Sequence, residues 1–67
     1  MSKIEFIEML RLNYNKMLLT KKETANELNI SQTTIDRLRQ NGQIKSRKVG
    51  GGIYFSLDEI ARFVYEE

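Results

Sequence analysis

The chain contains no cysteine and no histidine, and the two absences exclude a wide range of chemistry. Without thiols there is no disulfide framework, and without thiolate or imidazole the usual zinc and transition-metal sites have no ligands. Cysteine nucleophiles, serine–histidine–aspartate triads and histidine acid–base catalysis near neutral pH go with them. Proline is also absent, and there is no internal repeat or low-complexity tract. No apolar run approaches the roughly 18–20 residues of a membrane span. Glu5 and Glu8 follow Lys3 so closely that no signal-peptide apolar region forms. The 67 residues provide one small domain, and such a domain buries only about 60% of its unfolded surface. That leaves little room to enclose a carboxylate-only active site. The expectation is a soluble, cytoplasmic, non-enzymatic protein with no cofactor, no metal, no small-molecule ligand and no membrane partner.

Lys and Arg number 11 against 9 Asp and Glu, a formal charge of +2. So small a balance does not by itself imply a polyanionic partner, but its distribution is uneven. Residues 31–49 carry five bases (Arg37, Arg39, Lys45, Arg47, Lys48) and one acid (Asp36), a local +4. Residues 50–67 carry Arg62 against Asp58, Glu59, Glu66 and Glu67, a local −3. Positive charge is concentrated in one stretch of the chain.

Apolar periodicity and capping signals divide the chain into helices and a short extended region. Ile4, Ile7, Leu10, Tyr14 and Met17 recur at spacings of three and four, widened by Phe6, Met9 and Leu12, which predicts a helix over 3–18. So broad an apolar stripe must pack on its own domain or on a second copy. Thr20 and Glu23 form a capping box, Ser56 and Glu59 a second, and Ser31 a third N-cap; Ile30/Ile35 and Phe55/Ile60 stand at hydrophobic-staple spacing. Helices are expected near 21–28, 32–41 and 57–65. Asn29 tolerates the left-handed conformation that ends a helix, and Ser31 starts another at once. Two short helices so joined make a helix-turn-helix. Ala25 is the small residue at their crossing, with Leu28, Ile30, Ile35 and Leu38 directed to the core. Residues 44–49 and 53–55 flank Gly50–Gly52 and read as a β-hairpin, a wing, with Ile53 and Phe55 on one face and Tyr54 on the other. The triple glycine lacks the Gly-Lys-Ser/Thr and following helix of a phosphate loop, and reads as the wing tip. The fold class is mainly α with a small β-hairpin: a winged helix-turn-helix over 19–67 preceded by an N-terminal helix over 1–18, available for packing or dimer contact.

The ordered set Leu19-Thr20-Lys21-Lys22-Glu23-Thr24-Ala25-Asn26-Glu27-Leu28, Ile30-Ser31, Ile35-Asp36-Arg37-Leu38, Asn41-Gly42-Gln43-Ile44 and Lys48-Val49-Gly50-Gly51 resembles the excisionase-type winged-helix DNA-binding family. That family is similar in turn to the DNA-binding part of MerR-type regulators. The resemblance covers about residues 18–64. It implies a DNA-binding recombination directionality factor or a small transcriptional regulator of a mobile element. The chain departs from the family where arginines are common, at Gly52 and Tyr54, and it carries Ile53 where an aromatic is usual.

With Ile35 and Leu38 buried, an advance of about 100° per residue turns Thr33, Asp36, Arg37 and Gln40 outward. If 32–41 is the recognition helix, these four face the major groove. Arg37 suits guanine O6 and N7 or phosphate, Gln40 adenine, and Thr33 phosphate or a thymine methyl. Asp36 suits cytosine N4 or the orientation of Arg37, and Gln32 suits backbone phosphate. Lys45, Arg47, Lys48 and Tyr54 are the wing's candidates for holding phosphate. The expected partner is double-stranded DNA, bound by a homodimer or a cooperative array formed through residues 3–18. The alternative is a winged-helix adaptor that binds another protein.

Overall fold

The structure, a computed structural model, describes residues 1–66; Glu67, counted above with the acidic carboxy-terminal stretch, lies outside them. The elements in chain order are α1 (Lys3–Tyr14), β1 (Leu18–Thr20), α2 (Lys21–Leu28), α3 (Gln32–Gln40), β2 (Arg47–Val49), β3 (Gly52–Ser56) and α4 (Leu57–Tyr65). The three strands form one antiparallel sheet in the order β1-β3-β2.

Local chemistry accounts for most of the helix ends. The Thr20 hydroxyl accepts from the Glu23 amide at 3.1 Å while the Glu23 carboxylate accepts from the Thr20 amide at 2.9 Å. Lys16 at 2.9 Å, with the Thr20 amide, holds the Glu23 carboxyl below the usual glutamate range. Asn29 ends α2 with φ +58°, and Ser31 caps α3 by accepting from the Thr34 amide at 3.1 Å. A further capping box at Ser2 and Glu5 starts α1. It has the same Ser-x-x-Glu spacing, so the sequence carried the signal for it.

Several expectations are corrected. The first helix ends at Tyr14, not residue 18. Asn15 adopts φ +54° and donates its amide to the Arg11 carbonyl at 2.7 Å, the same helix stop that Asn29 supplies. Met17 therefore leaves the apolar stripe and is 59% exposed. Leu18–Thr20 become a strand because β3 would otherwise present an unpaired edge: Leu18 pairs with Ser56, Leu19 with Phe55 and Thr20 with Tyr54. At Ser56 only half of the capping box forms. Its hydroxyl accepts from the Glu59 amide, but Ser56 already closes β3 opposite Leu18, and the Glu59 carboxylate is engaged elsewhere.

The wing's strands are shifted from the expected 44–49 and 53–55. β2 begins only at Arg47, since Ile44 drops into the core, and β3 extends over Gly52–Ser56. Val49 opposite Gly52 leaves a two-residue turn, Gly50–Gly51. Its first residue has φ +60°, a value that favours glycine. At Gly52 the need is space: a Cβ there would lie 2.7 Å from the Tyr54 ring.

One core joins all elements except β2. Leu10, Leu19, Ala25, Ile35, Ile44, Phe55, Leu57 and Ile60 are its buried members, with Leu28, Ile30, Leu38 and Ile53 packed around them. Thr24, also buried, donates its hydroxyl to the Thr20 carbonyl at 2.9 Å, so no buried hydroxyl is left without a partner there. Leu10 places α1 in this core. The helix is held further by Phe6 edge-on to Tyr65 (5.6 Å between ring centres) and by Lys3–Glu66 at 3.1 Å. The Tyr14 hydroxyl donates to Glu27 at 2.6 Å, and that bond to a carboxylate pushes the phenol pKa up to about 12. Ile4 and Leu12, expected on the packed stripe, point outward and are 71% and 78% exposed.

Candidate nucleic-acid interface

Helix α3 is oriented by its apolar side. Ile35 is fully buried and Leu38 packs beside it, so Thr33, Arg37 and Gln40 lie exposed on the opposite side, and Gln32 is exposed in the first turn. Asp36 differs from its neighbours on that face. It is half-buried at the shoulder nearest α2. Its two oxygens accept from Lys21 Nζ at 3.2 and 3.1 Å, and Oδ1 also accepts from Arg39 Nη2 at 3.2 Å. Lys21 first and Arg39 second hold its carboxyl below the usual aspartate range. Asp36 makes no contact with Arg37 among these bonds.

In the wing, Lys45, Arg47 and Lys48 are exposed and Tyr54 is half-buried. Directly opposed residues share a sheet face. Thr20, Tyr54 and Arg47 therefore form one row across the three strands, on the side away from Phe55. Lys48 opposes Ile53 and points to the other face. Arg47 and Lys48 thus stand on opposite sides of the ribbon. The row containing Arg47 and Tyr54 leads through Thr20 to Lys21 and so to Asp36 on α3. This makes a continuous path from wing to helix.

The root of the wing is fastened by two residues that the sequence reading did not assign to the site, Glu59 and Arg62. Glu59 Oε2 accepts from the Lys45 amide at 2.9 Å, and Arg62 donates to both Glu59 oxygens, at 2.9 and 2.6 Å. Arg62 also donates to the Gln43 carbonyl at 2.8 Å. The i,i+3 spacing of Glu59 and Arg62 was the only signal of their pairing; nothing local announces their contact with residues 43–45. A solvent-open cleft of about 330 Å³ lies over this joint, lined by Lys45, Ser46, Arg47, Ser56 and Glu59.

Arg62, and secondarily the Lys45 amide, hold the Glu59 carboxyl below the usual glutamate range despite its partial burial. A depressed carboxyl contributes stability in full above its unfolded pKa, about 4.3, and loses it as pH falls through the lower folded value. Glu59→Gln is therefore expected to lower the urea midpoint at pH 7 and to lower it less at about pH 3, below the unfolded pKa. An equal deficit at both pH values would show that the charge of Glu59 is not what anchors the wing.

The pattern of ion pairing is the site's main electrostatic feature. Lys3, Arg11, Lys16, Lys21, Arg39 and Arg62 are each paired with a carboxylate. Among the described residues the remaining bases, Lys22, Arg37, Lys45, Arg47 and Lys48, make no ion pair; all but Lys22 lie on α3 or the wing. Four of these five unpaired bases are gathered on these two elements. No helix among the described residues is long and apolar enough to cross a membrane.

The helix-turn-helix domain family matches residues 18–66, and the chain belongs to that family of excisionase-like small DNA-binding domains. Such domains are typically non-enzymatic. The chain is also similar to an uncharacterized protein of Pasteurella multocida (strain Pm70), 39% identical over 54 residues covering 75% of this chain and 83% of that protein. No solved structure matches the chain.

Proposed function

We propose that this chain binds double-stranded DNA sequence-specifically, as an excisionase-like factor of a mobile element or a small transcriptional regulator, in the cytoplasm. The α3 helix enters the major groove and the hairpin over 44–55 lies against the backbone as a wing. The observation that carries this reading is that, among the described residues, the unpaired cations, Lys22 apart, are confined to α3 and the wing. Arg37 reads guanine or holds phosphate, Gln40 reads adenine, Thr33 meets phosphate or a thymine methyl, and Gln32 meets phosphate. Lys45, Arg47, Lys48 and Tyr54 grip the backbone, Arg47 and Tyr54 from one face of the ribbon and Lys48 from the other.

One such module buries only about 600–1,000 Å² on DNA. The chain therefore acts as a homodimer or as neighbouring copies on repeated sites, through residues 3–18, where Ile4 and Leu12 face outward. Titration of random and selected duplexes over a range of salt tests the whole reading. Four phosphate-facing cations predict a slope of log affinity against log salt of about −3 to −4 per copy, since each contact releases counterions. Stoichiometry in the same titration should show paired copies. A flat slope or no binding at low salt overturns the DNA reading in favour of a protein-binding adaptor.

A further inference from the structure

Resting on the DNA reading above, we propose that Asp36 is a specificity-determining residue: it withholds Lys21 and Arg39 from the phosphates of arbitrary sequences. The residue stands on the shoulder of the exposed face of α3, within the one stretch of the chain where cations are concentrated. It is the single acid between residues 31 and 49. One carboxylate engages two cations from two helices, Lys21 at the first turn of α2 and Arg39 one turn along α3.

Among the described residues those cations have no other ion-pair partner. Lys21 bonds only to Asp36 among the side-chain contacts, and Arg39 offers one nitrogen to it while its buried Nε has no partner. Both remain about one-third exposed, at 32% and 28% for their side chains, and both adjoin the path linking α3 to the wing. Asp36 offsets one of their two charges, so removing the carboxylate would raise the net charge of this cluster from +1 to +2 and free both side chains beside the surface that meets the duplex.

Non-specific affinity is almost wholly electrostatic, whereas specific affinity also includes base contacts. A carboxylate that holds two flanking cations, offsets one of their two charges and itself repels phosphate therefore lowers non-specific binding more than specific binding. Specificity is the ratio of the two. The depressed pKa of Asp36 keeps it charged throughout the neutral and mildly acidic range. This role differs from reading cytosine, which requires a free oxygen directed at a base edge.

The test is the salt dependence of binding to random duplex for the full chain, Asp36→Asn and Asp36→Glu, with thermal melts as a control for folding. Asp36→Asn should steepen the slope by about 1 to 2 and raise affinity for random duplex about tenfold at 50 mM salt. The ratio of selected-site to random affinity should fall, and Asp36→Glu should restore it. Lys21→Gln in the parent supplies a measurement that does not depend on Asp36→Asn folding: the parent slope should stay unchanged, because an ammonium held by Asp36 makes no phosphate contact. An unchanged slope in folded Asp36→Asn, or a slope about 1 shallower in Lys21→Gln, overturns the inference while leaving DNA binding intact. Absence of any duplex binding by the parent overturns both.

Discussion

Replacing Phe55 with alanine is expected to cost about 3–5 kcal/mol and to leave much of the chain unfolded at 25 °C. Phe55 is fully buried and heads the large side chains that have no exposed surface. It lies in the central strand, opposite Leu19 of β1, and joins Ile35, Ile44 and Ile60 in the same core. It also immediately precedes the Ser56 cap of α4. A domain of this size has a total stability of only about 3–10 kcal/mol, so the loss is comparable to the whole. Urea denaturation followed by far-ultraviolet circular dichroism measures it, with Ile44→Val, expected to cost about 1 kcal/mol, as the mild reference. A cooperative Phe55→Ala transition within about 1 kcal/mol of the parent would mean that the sheet is not the centre of stability.

Arg37→Glu is expected to weaken DNA binding by at least about 3 kcal/mol, or more than 100-fold. Removing an arginine that reads a base costs about 1–3 kcal/mol, and placing a carboxylate against phosphate adds like-charge repulsion of similar scale. Arg37 is exposed and makes no ion pair among the described residues, so folding should be little affected. Arg11→Glu is the matched control. It changes net charge by the same amount on α1, where Arg11 is exposed and pairs only with Glu8. Electrophoretic or anisotropy titrations of both variants at one salt concentration separate position from net charge. Equal losses would leave only bulk attraction, and would remove α3 from the groove.

The helix-turn-helix was legible because its instructions are local. Thr20, Glu23 and Ser31 place hydroxyls and a carboxylate within three residues of the amides they satisfy, and Asn29 accepts a left-handed backbone on its own account. The exposed side of α3 followed from Ile35 and Leu38 by helical spacing alone. The same rule was available at Asn15, where apolar periodicity running on to Met17 concealed the stop. Leu18–Thr20 were harder to read. Three residues carry too little alternation to announce a strand, and their pairing partner lies more than thirty positions away.

The amino-acid order by itself determined the helix-turn-helix and its caps, the glycine-rich wing tip and the clustering of positive charge, since each depends on residues only a few positions apart. Tertiary structure alone decided which charges remain available. Asp36 meets Lys21 across fifteen positions and Glu59 meets the Lys45 amide across fourteen. Such pairings depend on how helices cross and where a strand docks, which is the sum of packing over the whole core. The cations left unpaired on α3 and the wing are therefore a property of the fold, although every one of them is written in the sequence.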